Sequence, residues 1–127
     1  MAALSDYSEN LLLDWLMTAD SATRPTAWYV ALYTAAPSDS GGGTEVSTGG
    51  YARQSVSFTV TGDTASNSGA VSFTASGANY GTVTHVGIFD AVSAGNLLWH
   101  GAMTASKLIE DGDTLQFDAG NIDLTLA

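Results

Sequence analysis

Short alternating segments separated by turn-forming residues run from residue 28 to the end of the chain, and they constrain the fold more than any other feature. Residues 28–34 show the pattern most clearly, with two alternating sets of side chains: Trp28, Val30 and Leu32, then Tyr29, Ala31 and Tyr33. A period of two places successive side chains on opposite faces of a β-strand. Further strands are predicted at residues 51–60, 71–74, 82–89, 97–103, 114–117 and 122–126. About seven short strands with frequent turns indicate a mainly all-β fold, either an antiparallel β-sandwich, a jelly-roll-like domain or a small barrel.

The turns follow from residue chemistry. A Gly-, Ser- and Thr-rich loop spans residues 37–50, and turn signals recur at 90–96, 110–113 and 119–121. The tetrapeptide Val-Ser-Phe-Thr occurs at residues 56–59 and again at 71–74, and the connector 62–69 is rich in turn formers. We therefore predict that these two segments are neighbouring antiparallel strands.

Residues 4–18 form the one segment with helical spacing. Leu4, Tyr7, Leu11 and Trp15 recur at that spacing, and Leu12 and Leu16 widen the apolar face. Ser5 or Asp6 is placed to cap the helix, which Pro25 prevents from extending through Arg24. An isolated short helix is marginal in water, so we expect this face to dock on the sheet or on a neighbouring subunit. No linker divides the chain, which indicates a single domain of residues 1–127, with a sandwich at 27–126 after the helix.

The charge balance restricts the partners. Thirteen acidic residues against three basic ones give a net charge of −10, which argues against nucleic-acid binding because that affinity is mainly electrostatic. Hydrophobic residues make up 45% of the chain and charged residues only 13%, so a core is expected beneath a surface that another protein can cover. The most apolar stretch, residues 11–17, is interrupted by Asp14 and is too short to span a membrane. The sequence contains no cysteine for a disulfide or a thiolate metal site.

Catalytic motifs are missing from the sequence. It has no Gly-x-Ser-x-Gly, no His-Glu-x-x-His and no phosphate-binding loop with its lysine. The two histidines, His85 and His100, fall inside predicted strands, where a partly buried, hydrogen-bonded residue is the expected interpretation. Composition alone does not exclude a catalytic triad or a pair of carboxylates, but we expect no enzymatic activity and no cofactor.

Several other residues are open to two interpretations. Asp111 and Asp113 are weak candidates for a cation site, although an acidic Asp-Gly tract more often forms a plain turn. Glycines 41–43 resemble a phosphate cradle only superficially and favour a flexible loop. The aromatic residues Trp28, Tyr29 and Tyr33 would suit a sugar-stacking platform, but one face in the core and the other at an interface is favoured. Arg53 is expected to form a structural ion pair, with Glu45 as one partner, or to contact another subunit.

A distinctive tract runs from Trp28 to Val46, with Ala-Leu-Tyr-Thr-Ala-Ala-Pro and Gly-Gly-Gly-Thr-Glu-Val, and is followed by Tyr-Ala-Arg-Gln at residues 51–54. Residues 81–90, 95–99, 101–104 and 112–115 continue the pattern. With these segments most of the chain resembles a family of small tailed-bacteriophage virion proteins that are often labelled phage tail-fibre proteins. The resemblance implies a virion component on the capsid surface or the tail, made in the host cytoplasm and without catalytic residues.

Three function classes follow from the resemblance and the composition. A capsid decoration (cement) protein is favoured, because the chain lacks the repeats or coiled coil of a fibre shaft. A tail-fibre or tail-appendage module involved in host-surface attachment is the alternative, and a cell-wall hydrolase is remote. The expected partners are copies of the chain itself, as a trimer or else a dimer, and the major capsid or tail proteins. The expected interface residues are Leu12, Trp15, Tyr29, Tyr33 and Arg53.

Overall fold

Antiparallel β-strands make up most of the fold. In the computed structural model, which describes residues 2–126, these residues form one helix and eleven strands. In chain order the elements are β1 (Ala2–Leu4), α1 (Asp6–Met17), β2 (Tyr29–Ala35), β3 (Thr44–Glu45), β4 (Gln54–Ser55), β5 (Phe58–Thr61), β6 (Thr64–Asn67), β7 (Val71–Thr74), β8 (Gly81–Phe89), β9 (Leu97–Ile109), β10 (Thr114–Phe117) and β11 (Asp123–Thr125).

The larger layer is a six-stranded sheet in the order β1-β9-β8-β2-β3, with β4 paired to another part of β2. Its register pairs Leu32 with Val86 and Ile88 with Trp99. The second layer consists of the pair β7–β10 and the three-stranded sheet β5-β6-β11. The predicted mainly antiparallel sandwich with one N-terminal helix is confirmed.

The core lies between the two layers. From the large sheet Val30, Leu32, Val83 and Ile88 are buried, and they belong to one apolar cluster with residues of the second layer: Phe73, Leu115, Ile122 and Leu124. The Phe73 ring stacks on Tyr51, with 6.1 Å between the ring centroids. The alternation read in the sequence therefore places one face of each strand in this core.

The opposite face of the large sheet carries a second apolar cluster, formed by Ala31, Tyr33, Phe89 and Leu97. Both faces of β2 are thus covered by the same chain. Gly87 makes the close packing possible, because a Cβ built there would lie 3.0 Å from side-chain atoms of both Tyr33 and Leu97. The expectation that Tyr33 faces another subunit is wrong, since its side chain is buried within its own chain.

The two Val-Ser-Phe-Thr segments are not neighbours, contrary to the prediction. β5 pairs with β6, which lies inside the connector that the sequence indicated as a turn, and β7 pairs with β10. β6 has the sequence Thr-Ala-Ser-Asn, with no large apolar side chain to reveal a strand. It is held instead by the main-chain ladder and by side-chain pairs such as Thr64 Oγ1 with Thr125 Oγ1 at 3.0 Å.

The helix begins two residues later than predicted. Leu4 belongs to β1, where it pairs with Trp99, and Ser5 is the N-cap whose Oγ accepts a hydrogen bond of 3.2 Å from the Ser8 backbone N–H. Ser5 Oγ also donates to the carbonyl of Leu97, which fastens the start of the helix to β9. Beyond this base Leu11 is half-buried and residues 12–17 of α1 are exposed. The later part of the predicted apolar face, with Leu12, Trp15 and Leu16, therefore does not dock on the chain's own sheet.

Candidate functional site

The predicted interface residues fall into two separate groups. Leu12 and Trp15 are exposed on α1, by 38% and 66%. Tyr33 is buried in the second apolar cluster, and Tyr29 is half-buried. Arg53 contacts its own chain on several sides. Of the predicted set, only the helix residues form an exposed apolar surface.

Arg53 is the centre of a polar cluster that covers the second apolar cluster. Its Nε and Nη2 atoms donate to the two carboxylate oxygens of Glu45, each at 2.9 Å. Its Nη1 donates to the carbonyls of Ala91 and Ala94 at 3.0 and 2.7 Å, and the guanidinium carbon lies 3.6 Å from the centroid of the Phe89 ring. The predicted structural ion pair with Glu45 is confirmed. The fork geometry of arginine suits this two-oxygen contact, and the flat cation stacks on the ring.

Tyr51 joins this cluster to the main sheet. Its hydroxyl donates to Glu45 Oε2 at 2.6 Å and accepts a 3.0 Å hydrogen bond from the Leu32 backbone N–H. Burial would raise the pKa of Glu45, but the hydrogen bonds from Arg53 and Tyr51 outweigh it and leave that pKa below its usual value. Burial and the hydrogen bond to Glu45 raise the pKa of Tyr51, and burial with the nearby Glu45 charge raises the pKa of Tyr33 to about 12 despite Arg53. The cluster therefore has a structural role, because it joins segments that are distant in sequence.

Asp111 and Asp113 hold the turn between β9 and β10. Asp111 Oδ1 accepts a hydrogen bond from the Gly77 backbone N–H, and Asp113 Oδ2 accepts one from the Glu110 N–H, both at 2.9 Å. Gly112, between them, has a φ of +88°, which favours glycine. The turn interpretation is confirmed. Within residues 2–126 no group of three potential metal-ligating side chains forms.

The histidines are hydrogen-bonded strand residues, as predicted. His85 Nδ1 lies 2.8 Å from Thr84 Oγ1, and His100 Nε2 lies 2.7 Å from Asp39 Oδ1. Because Asp39 belongs to the loop after β2, the His100 contact ties that loop to β9. In the same loop, a Cβ on Gly43 would approach the Ala35 carbonyl oxygen to 2.7 Å, so this glycine permits a tight backbone crossing.

Sequence reasoning missed an open groove between β9 and the second layer. Its volume is about 640 Å³. The apolar part of its lining comes from both layers: Val86, Ile88, Trp99, Met103, Phe117 and Leu124. Trp99, Met103 and Phe117 are only partly buried, since no other part of residues 2–126 fills the groove. The sequence signal was that β9 has more inward-facing apolar residues than the described chain itself covers. The strand also continues to Ile109, whereas the sequence predicted its end at Met103.

Lys107 brings a positive charge to the lining of this groove, and Asp123 brings a negative one. Lys107 pairs in register with the buried Val83, so both residues lie on the inner face of the sheet. Among the described residues 2–126, no carboxylate lies within 4.0 Å of the Lys107 ammonium group.

The described chain thus combines polar clusters engaged in its own structure with two uncovered apolar features, the helix and the groove. A protein-family model described as podophage GP4 fiber I protein gp80 matches residues 3–125. The chain belongs to this family. The match to the gp80 fibre family spans both layers and α1, and it makes the chain a structural protein of a phage virion. No curated protein matches it. None of its helices, in the part that the structure describes, is long and apolar enough to cross a membrane.

Proposed function

We propose that the chain is a non-enzymatic structural subunit of a phage fibre. The observation that carries this proposal is the extent of the family match, from residue 3 to residue 125. The match includes the helix, both sheet layers and the groove, so the whole described fold corresponds to the fibre family. Attachment to the host surface is the role that a position in a fibre would serve.

The surface chemistry supports an assembly role. The chain has few charges for its size, and desolvating an uncharged polar surface costs less free energy than desolvating a charged one. The side chains that first invited a catalytic or metal interpretation, His85, His100, Asp111 and Asp113, all make structural hydrogen bonds. An exposed apolar helix is typical of a surface that meets another protein chain.

Decoration of the capsid is the competing proposal. It is favoured by the chain's small sandwich, which has neither the internal repeats nor the long coiled coil of a fibre shaft. A fibre location requires that this subunit joins other chains to gain length. In either location we propose that copies of the chain associate, as a trimer or else a dimer, and that Leu12 and Trp15 lie in their interface.

Copy number distinguishes the two locations. Quantitative mass spectrometry of purified virions would measure the molar ratio of this chain to the major capsid protein, and antibody labelling in electron micrographs would show its position. The fibre proposal predicts a few copies per particle and label away from the capsid shell. A copy number proportional to that of the capsid protein, with label over the whole head, would establish decoration instead.

A further inference from the structure

Within residues 2–126, the C-terminal half of α1 is left largely uncovered. The helix packs mainly on β1 and β9, its first residue, Asp6, donates its backbone N–H to the Asp39 carbonyl, and Leu13, Trp15, Leu16 and Met17 are each exposed by 58–70%. Together with Leu12 they leave on the order of 600 Å² of apolar surface in water, at the upper end for the largest patch of a monomer and close to the roughly 800 Å² per partner of a standard interface. In residues 11–17 only Asp14 is polar. A short helix of this kind is marginally stable in water unless its apolar face packs against another surface.

The open groove has complementary properties. It is lined mainly by apolar side chains, and its volume of about 640 Å³ is large enough for several side chains such as those at the end of α1. Its lining includes one carboxylate, Asp123, which accepts a hydrogen bond from Ser66, and one lysine, Lys107, which has no carboxylate within 4.0 Å in the described chain. The exposed half of α1 carries one charge, Asp14, and the helix has no basic residue. The helix and the groove are therefore matched in polarity and size, and Asp14 can supply the carboxylate that Lys107 lacks.

We propose that the C-terminal half of α1 of one subunit inserts into the groove between β9 and the second layer of a second copy, with Asp14 facing Lys107. The proposal deepens the proposed packing of copies in the virion and rests on it. Each subunit then offers a helix to one neighbour and a groove to another. Such a head-to-tail contact closes into a ring when the rotation allows it and otherwise continues as a filament.

Charge favours this arrangement over a bundle of α1 helices. A bundle would bring the three acidic side chains of each helix close to those of its neighbours, with no basic residue in α1 to offset them. It would also leave the groove, with Trp99 and Met103, uncovered. Insertion into a neighbour covers both features at once.

Complementation of two variants tests the proposal directly. Leu16→Asp removes the apolar helix surface, and Ala105→Trp fills the groove from an exposed residue of its lining. Each variant alone should associate about thirtyfold or more weakly than the parent, as measured by sedimentation. An equimolar mixture should form a 1:1 dimer, because one intact helix then meets one intact groove. Val92→Trp, on an exposed turn outside the groove, is the matched control and should associate like the parent.

Cysteine cross-linking tests which residues of two subunits lie close together. The sequence has no native cysteine, so only the introduced cysteines can react. A short bis-maleimide should join Met17→Cys to Ala105→Cys in a mixture, but should not join Met17→Cys to itself or to Val92→Cys.

A charge exchange tests the proposed ion pair. Lys107→Glu should weaken association about fivefold, and adding Asp14→Lys should restore it. Cross-linking of Met17→Cys to itself, normal assembly of Ala105→Trp, or a parent protein that stays monomeric at millimolar concentration would overturn the proposal. These experiments use purified protein, so their outcome does not depend on where in the virion the chain is located.

Discussion

At the residue scale, one polar cluster connects segments that are distant in sequence. Arg53 reaches Glu45 in β3 and the carbonyls of the turn after β8, while Tyr51 reaches the backbone of β2. The large sheet leaves a gap along β2 between its short partners β3 and β4, and the Tyr51 hydroxyl satisfies the Leu32 N–H in that gap. A buried N–H without such a partner is costly, so this side chain completes the sheet.

Replacing Tyr51 by Phe should therefore destabilise the fold. The change removes the hydrogen bond to Glu45 and leaves the Leu32 N–H without its acceptor, which should lower the free energy of unfolding by about 1–3 kcal/mol. Urea denaturation would measure the difference. Tyr7→Phe, at an exposed site on α1, is the control and should change stability by less than about 0.5 kcal/mol. Equal stability of Tyr51→Phe and the parent would show that the cluster contributes nothing.

Acid should weaken the same cluster. The pKa of Glu45 is below its ordinary value in the folded state, so its carboxylate stabilises the fold at pH values above the unfolded pKa of about 4.5. That contribution is lost as the pH falls through the lower, folded pKa. Glu45→Gln should thus be clearly less stable than the parent at pH 7, and the gap should narrow below about pH 4.5. Urea denaturation of both proteins across this range is the measurement, and a gap that is constant with pH would contradict it.

At the element scale, the fold was predictable where apolar periodicity was strong. β10 was predicted with its correct bounds, and β8 and α1 to within a residue or two, because each carries an uninterrupted pattern. β1 and β6 were missed because three- and four-residue strands with few large apolar side chains derive their structure from their neighbours in the sheet. The second half of β9 was missed because residues 103–106, with the sequence Met-Thr-Ala-Ser, bulge opposite Thr84, between the pairs His85–Ala102 and Val83–Lys107.

The candidate site was predictable only in part, for a related reason. Sequence pattern indicated the Arg53–Glu45 pair and the apolar helix, both of which depend on local or conspicuous residues. It misplaced Tyr33, because alternation in a strand distinguishes two faces without showing that the same chain covers both. The groove depends on how five separate strands, β1, β8, β9, β10 and β11, are arranged in space, and no local pattern encodes that arrangement.

The exposed helix leads to a prediction that separates folding from assembly. Leu12→Asp adds a charge to a surface that the monomer leaves 38% exposed, so its melting temperature should fall by no more than a few degrees while self-association is lost. Asn10→Asp adds the same charge on the opposite, polar side of α1 and should retain association. Differential scanning calorimetry and sedimentation measure the two properties. An unfolded Leu12→Asp protein would mean that the helix face packs within its own chain.

At the scale of the whole molecule, a low density of charge coexists with a large negative net charge of −10. Identical subunits therefore repel each other at long range even where their apolar surfaces match, and salt screens this repulsion over about 10 Å at 0.1 M. Association of the purified protein should strengthen as sodium chloride is raised from about 0.02 to 0.5 M. Sedimentation across this range is the measurement, and association that weakens with salt would contradict it by showing that attraction between opposite charges dominates.

Cryo-electron microscopy of the intact virion tests most directly whether this member of the gp80 fibre family is an assembly subunit whose exposed helix is covered by a neighbour. We expect density for the sandwich in a fibre, with Trp15 and Leu16 of each copy buried in the groove of the next. An isolated copy whose α1 is surrounded by solvent, or a lattice of copies on the capsid shell, would contradict it.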